Sequence, residues 1–236
     1  MGRFPNIAAA KAKTGAAKGK LYGMYAKEIY LAAKNGGVTP ESNPSLKRLI
    51  DKAKKDQVPA DVIKRAIDKV SSGVGENYET LTYEVFGPSG STFIVECLTD
   101  NVNRSVSDVR AVVNKCHIKL GAMGSVMYNY DHLAVVGFKG LTEDETMDAL
   151  IEAGIDFVDM EKEDDMIIVY GHPQDLIGIK DAITAKKAVD FEIDEISYLA
   201  KDKVELTGED LDTFNKAMDL FDGVDDVQNV YHNVKN

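Results

Sequence analysis

The sequence predicts an α+β protein: an N-terminal three-helix domain followed by two ferredoxin-like α/β domains, one inserted in the other. Three observations carry that prediction. Apolar residues recur at helical spacing as far as Val70, and beyond Glu79 the pattern changes to short strands alternating with helices. At the C-terminal end a strand, a helix and a strand are left over, and they need a sheet to join because unpaired strand edges are unstable.

In chain order, residues 1–19 are rich in Ala, Gly and Lys and lack large apolar residues, which predicts an arm that orders on a partner. From Lys20, Leu21, Tyr25, Ile29 and Ala32 mark a helix that stops at Asn35-Gly36-Gly37. Asn43-Pro44, a cap followed by a first-turn proline, opens a second helix running to about Gln57. A third follows Val58-Pro59 and carries Val62, Ile63, Ala66, Ile67 and Val70, after which Ser71 to Gly75 reads as a linker. Strands at Glu79–Phe86 and Ser91–Leu98 flank Gly87-Pro88-Ser89-Gly90, a composition suited to a hairpin turn. A helix over Asn103–His117, a glycine-containing loop and a strand over Ser125–Tyr130 come next.

Strand Leu133–Phe138, helix Glu143–Ala153, strands Phe157–Lys162 and Met166–Gly171, helix Gln174–Lys187 and strand Phe191–Tyr198 then give a β-α-β-β-α-β order, the ferredoxin-like arrangement. Strand Lys203–Leu206, helix Asp210–Phe221 and strand Val227–Tyr231 remain, and they complete a second such set with 91–98, 103–117 and 125–130. The expected domains are therefore 1–75 (basic arm and helices), 76–131 with 200–236 (a discontinuous α/β domain), and 132–199 (the insertion).

Charge is distributed unevenly. Met1 to Lys27 contains Arg3, Lys11, Lys13, Lys18, Lys20 and Lys27 and no Asp or Glu. Up to Val70 there are 15 basic and 6 acidic residues, a net of +9, whereas Ser71 to Asn236 holds 13 basic and 33 acidic, a net of −20. Such a chain presents one end to polyanions and repels them with the remainder. The nucleic-acid-binding candidates are those six residues together with Arg104, which follows the strand-to-helix turn Thr99-Asp100-Asn101-Val102-Asn103. There the Asx residues suit helix capping, and Arg104 reaches either a phosphate or an acidic neighbour. Four to six phosphate contacts would give a log–log salt slope of about −4 to −5 on duplex DNA. Such contacts fix position and carry no base information. The second and third helices carry Lys47, Arg48, Lys52, Lys54, Lys55, Lys64, Arg65 and Lys69, as a helix-turn-helix variant would, but Asp51, Asp56, Asp61 and Asp68 are interleaved as on an ordinary ion-paired surface.

Other chemistries find little support. Gly15 to Leu21 is one residue short of a P-loop and ends in Leu, without the hydroxyl that binds magnesium. His117, His132, His172 and His232 are far apart and lack Cys partners at zinc-ligand spacing, so no metal and no cofactor is expected. Gly121-Ala122-Met123-Gly124 has a G-x-x-G form but lies between a helix and a strand, a context that favours a simple turn. The acidic runs Glu161 to Asp165 and Asp219 to Asp226 lack EF-hand spacing and read as solvated faces. A metal-dependent nuclease using those carboxylates is the rival from another class. Cys97 and Cys116 fall in apolar patterns and read as buried, unpaired thiols, which fits a reducing compartment. No apolar run approaches the roughly 18 residues of a membrane span and no signal-like block opens the chain, so a cytoplasmic protein without membrane or small-molecule partners is expected.

Phe4-Pro5-Asn6-Ile7, Lys18-Gly19-Lys20, Ala32-Ala33-Lys34-Asn35-Gly36-Gly37, Pro40-Glu41-Ser42-Asn43-Pro44, Ile50-Asp51-Lys52-Ala53-Lys54, Tyr83-Glu84-Val85-Phe86-Gly87-Pro88, Leu98-Thr99-Asp100-Asn101-Val102-Asn103-Arg104 and Gly124-Ser125-Val126 stand in this order along the chain. Together they resemble the YebC/PmpR family. That resemblance implies a helical N-terminal domain and two α/β domains. It also implies a probable transcriptional regulatory protein that binds DNA, which with the poor catalytic inventory reads as a non-enzymatic regulator; the alternative is a translation factor acting on the ribosome or its RNA, as mitochondrial relatives look like translational activators. This chain has Phe4 where members usually carry Trp, and Ala8-Ala9-Ala10-Lys11 where their early basic cluster is denser.

Overall fold

The computed structural model describes residues 15–73 and 75–235. They fall into two compact units, 15–123 with 206–230 and 124–205 with 231–235.

The first unit begins with three helices: α1 (Gly15–Gly36), α2 (Pro44–Lys55) and α3 (Ala60–Ser71). α1 starts five residues before the position expected from its apolar pattern, since Ala16, Ala17 and Lys18 are good helix formers and need no core to be helical. It ends where Gly37, at φ +94°, takes the left-handed conformation and donates its N–H to the Ala33 carbonyl at 2.9 Å. Asn43 caps α2 by accepting the Leu46 N–H at 3.1 Å, and its amide donates to the carbonyls of Ala32 and Gly37 at 2.9 and 2.8 Å. One buried side chain thus ties the end of α1 to the start of α2. Tyr25, Ile29 and Ala33 pack against Leu46, Ile50, Ala53, Val58, Ile63 and Ala66 to form the helical core.

A four-stranded sheet belongs to the same unit. β1 (Glu79–Phe86) and β2 (Thr92–Thr99) form an antiparallel hairpin with Phe86 opposite Thr92, closed by a short 3-10 turn at Pro88–Gly90. α4 (Val102–Lys115) leads to β3 (Lys119–Leu120), and after the second unit the chain returns as α7 (Gly208–Asp222) and β8 (Val227–His232). The strand order is β3-β1-β2-β8. Phe93 of β2 stacks on Phe214 of α7 at 5.2 Å and lies 5.9 Å from Phe221, at the centre of a core that includes Val95, Cys97, Val109 and Val113.

Two expected strands are absent here. Ser125–Tyr130 contains a 3-10 turn at Met127–Asn129, and the next strand begins only at Tyr130. Lys203–Leu206 contributes an isolated bridge, Val204 to Val234, and no strand. Their places are taken by β1, which stands in the middle of this sheet, and by the two-residue β3. The set is therefore β-β-α-β followed by α-β.

The second unit is β4 (Tyr130–Lys139), α5 (Glu143–Glu152), β5 (Phe157–Glu163), β6 (Met166–Gly171), α6 (Leu176–Lys186) and β7 (Phe191–Ala200), with strand order β5-β6-β4-β7. This is the ferredoxin-like β-α-β-β-α-β. Thr142 and Glu145 form a capping box at the start of α5, and Val136, Phe138, Leu150, Ile167, Val169, Ile179 and Ile183 fill the layer between sheet and helices.

Candidate nucleic-acid interface

Of the predicted contact residues, Arg3, Lys11 and Lys13 lie outside the described residues. Lys18 is exposed on the first turns of α1. The remaining three are donors within the protein. Lys20 pairs with Asp222, its Nζ 3.3 Å from Oδ1, and also donates to the Asp222 carbonyl. One helical face later, Lys27 reaches Asp226 Oδ1 at 2.9 Å and the carbonyls of Leu98 and Asp225 at 3.1 and 3.2 Å.

Arg104, in the first turn of α4, completes that cluster. Its Nε and Nη2 donate to Asp226 Oδ2 and Oδ1 at 3.0 and 2.9 Å, and Nη2 also donates to Asp100 at 2.7 Å. The bidentate fork matches the carboxylate plane, and a lysine could not reproduce it. Thr99 donates its hydroxyl to Asp226 Oδ2 at 2.9 Å, while Asn101 caps α4 by accepting the Arg104 N–H at 3.0 Å. The Asp226 side chain is 2% exposed and that of Lys27 19%. Burial alone would raise the Asp226 carboxyl, but the hydrogen bonds from Lys27, Thr99 and Arg104 outweigh it and hold the group below the ordinary aspartate value. So Asp226 is no part of a solvated acidic face, contrary to the expectation for Asp219 to Asp226. It is the internal anion on which α1, β2 and α4 converge.

The exposed cations of the helices are Lys18 and Lys34 of α1, Lys47, Lys54 and Lys55 of α2, and Lys64 and Arg65 of α3. Residues 15–73 hold 12 basic and 6 acidic side chains. Asp51–Lys54 at 4.0 Å and Asp61–Arg65 at 2.5 Å are exposed ion pairs within α2 and α3. Neither helix therefore offers an uninterrupted cationic face.

Sequence reasoning missed a cleft of about 430 Å³ between α1 and α3, lined by Tyr22, Gly23, Ala26, Lys27 and Tyr30 on one side and Val62, Arg65, Ala66 and Lys69 on the other. Its end wall is Glu76 and Tyr78 from the segment that leads to β1. The spacing of Tyr22, Ala26 and Tyr30 against Val62, Ala66 and Lys69 was the available signal, two matching helical faces bearing small residues. Glu76 organises this wall. Its backbone exchanges two hydrogen bonds with the Tyr30 hydroxyl, at 2.9 and 3.0 Å, and its carboxylate accepts from Lys69 and from the Tyr78 hydroxyl at 2.5 Å. Lys69 first, and then that hydroxyl, hold the Glu76 carboxyl below the ordinary glutamate value. The rings of Tyr30 and Tyr78 meet edge to face at 5.5 Å.

Elsewhere the singled-out motifs are structural. Gly121 to Gly124 is a turn, anchored by Gly121 N–H to the Glu84 carbonyl at 2.7 Å. Cys97 and Cys116 are buried and unpaired, and burial pushes the Cys97 thiol up to about 11. Asp165 of the other acidic run pairs with Lys139 at 3.0 Å. Among the described residues no group of three His, Cys, Asp or Glu side chains is placed to hold a metal, and no helix is long and apolar enough to cross a membrane.

Two family models match, one describing the TACO1/YebC protein N-terminal domain over residues 2–73 and one the TACO1/YebC second and third domain over residues 78–234. The chain belongs to the TACO1/YebC family. Among similar family members, a probable transcriptional regulatory protein of Alteromonas mediterranea is 46% identical over 99% of this chain and 98% of its own length. Another from a Marinomonas species is 44% identical over the whole of both chains. The crystal structure of a conserved hypothetical protein from Aquifex aeolicus superposes with a TM-score of 0.79 at 32% identity, covering 99% of this chain and 97% of that one. Members of the family are thus named as regulators, and the helical domain with its two α/β sheets is the family fold.

Proposed function

We propose that this chain is a non-enzymatic, DNA-binding regulator of gene expression that meets nucleic acid through its N-terminal end. The observation that supports this most strongly is the charge layout. Twelve basic residues stand against six acidic ones over 15–73, preceded by Arg3, Lys11 and Lys13 with no acid among residues 1–14, on a chain whose net charge is −11. Phosphate contact falls to the arm and to Lys18. Lys20 and Lys27, by contrast, hold α1 against Asp222 and Asp226, and Arg104 holds Asp226 from α4. The names of the relatives support a role in transcription.

The second reading is ribosomal RNA as the polyanion, with the protein acting in translation. The ion pairs Asp51–Lys54 and Asp61–Arg65 favour it, because they interrupt the cationic face that a major-groove recognition helix would use. The test is a salt titration on duplex DNA and on purified ribosomes, with the intact chain and with Lys11, Lys13 and Lys18 changed to Gln. Each lost duplex contact flattens the log–log slope by about 0.9, so the triple change should reduce it by about 2 to 3 on the true target. Unchanged slopes on both targets would refute the proposal.

A further inference from the structure

Deepening that reading, and resting on it, we infer that the cleft between α1 and α3 captures one unpaired nucleotide, its base against the Tyr22 side of α1 and its phosphate towards Arg65 and Lys69 of α3. The cleft's size of about 430 Å³ lies in the range of small-ligand sites and admits a single base with its sugar. Its interior is aromatic and aliphatic. Tyr30 is 3% exposed and the hydroxyls of Tyr30 and Tyr78 are both taken up by Glu76, which leaves the half-buried Tyr22 ring for stacking. Rings of this kind stack on any base without regard to its identity.

The charges select the ligand class. With Lys27 committed to Asp226, Arg65 and Lys69 stand against Glu76, the one carboxylate among the described lining residues, which disfavours a cation and leaves a purely apolar group with no use for the rim. Arg65 and Lys69 are held by partly exposed ion pairs to Asp61 and Glu76, which contribute little and are readily shared with an incoming phosphate. A flat π-system carrying an anion at one edge satisfies both halves of the site. A base inside a duplex cannot enter, since both of its faces are covered.

Gly23 supplies a test that spares the fold. It is exposed in the interior of α1 and lines the cleft, and a Cβ added there meets nothing within 4 Å. Gly23→Leu therefore improves helix propensity while filling the mouth of the cleft. The full chain and this variant are titrated with a single-stranded RNA decamer containing 2-aminopurine, with a duplex of the same length, and with AMP. Gly23→Leu is expected to weaken the decamer about tenfold and to leave the duplex affinity and its salt slope unchanged. Tyr22→Ala should behave alike. AMP that saturates the wild type and not Gly23→Leu assigns the site to free nucleotide as well as chain; no AMP binding, with the decamer effect present, assigns it to a strand. Decamer affinity within twofold of wild type in Gly23→Leu overturns the inference while leaving duplex binding intact. Should neither polymer bind, the proposed function fails, and the cleft survives only if AMP still separates the two proteins.

Discussion

Replacing Asp226 by Asn removes the charge at the point where α1, β2 and α4 meet and keeps the side-chain shape. The wild-type carboxylate accepts four hydrogen bonds, from Lys27, from Thr99 and twice from Arg104, all between 2.9 and 3.0 Å. Breaking a buried ion pair from one side typically costs about 3–5 kcal/mol, because the surviving charge is left without compensation. Lys27 is in that position, with the Leu98 and Asp225 carbonyls as its remaining acceptors, whereas Arg104 is 45% exposed and keeps Asp100, so its share is screened. The lower end, about 3 kcal/mol, is therefore expected. Urea unfolding followed by far-ultraviolet circular dichroism reads this as a midpoint lowered by about 1–1.5 M for a slope near 2–3 kcal/mol/M. Lys27→Met combined with Asp226→Asn should recover part of the loss, since the double variant no longer buries an unpaired ammonium. A midpoint shift below about 0.2 M for Asp226→Asn, or strict additivity in the double variant, would refute the claim that this cluster is a coupled internal ion pair.

The folded Asp226 carboxyl titrates below its unfolded value, so its contribution is present above about pH 4 and is lost as the pH falls through the folded pKa; an acid titration of Asp226→Asn should accordingly be flatter below pH 4 than that of wild type. His232 is held neutral by burial, its pKa below the ordinary histidine value, so His232→Gln should blunt the loss of stability that begins as the pH falls below about 6.5. Asn43→Ala removes the cap of α2 and two amide bonds to the end of α1, and should cost about 2–3 kcal/mol by urea unfolding, with the amides of Gly37 and Leu46 exchanging faster. Cys97, buried and with its thiol raised to about 11, should resist thiol reagents at pH 8 in the native protein and react once it is unfolded in urea.

The helices were legible because their signals are local. Asn43-Pro44 and Val58-Pro59 mark starts, and Asn35-Gly36-Gly37 a stop, whatever the rest of the chain does. The second unit was legible too, since six elements in β-α-β-β-α-β order close on themselves. Ser125–Tyr130 and Lys203–Leu206 were misread as strands because apolar residues in a packed loop have the same composition as those in a short strand, and pairing partners decide between them. The two-residue β3 carries no periodicity at all. In the interface, cations could be counted but not assigned. Whether Lys27 faces solvent or an aspartate 199 positions away is a tertiary fact, and the same holds for Arg104 and Asp226, 122 apart.

Lys27 and Lys20 fasten α1 to the stretch just before β8, and Tyr30 and Lys34 grip the backbone of Glu76 on the way to β1. The three helices are consequently not a bead on a string. Severing the polypeptide at residue 75 would leave Asp226 with Arg104 and Thr99 but without Lys27 and strip α1 of the anions it leans on, so neither fragment should keep the solubility or rigidity of the whole. Any grip exerted on the leading helices is delivered directly to the sheet behind them.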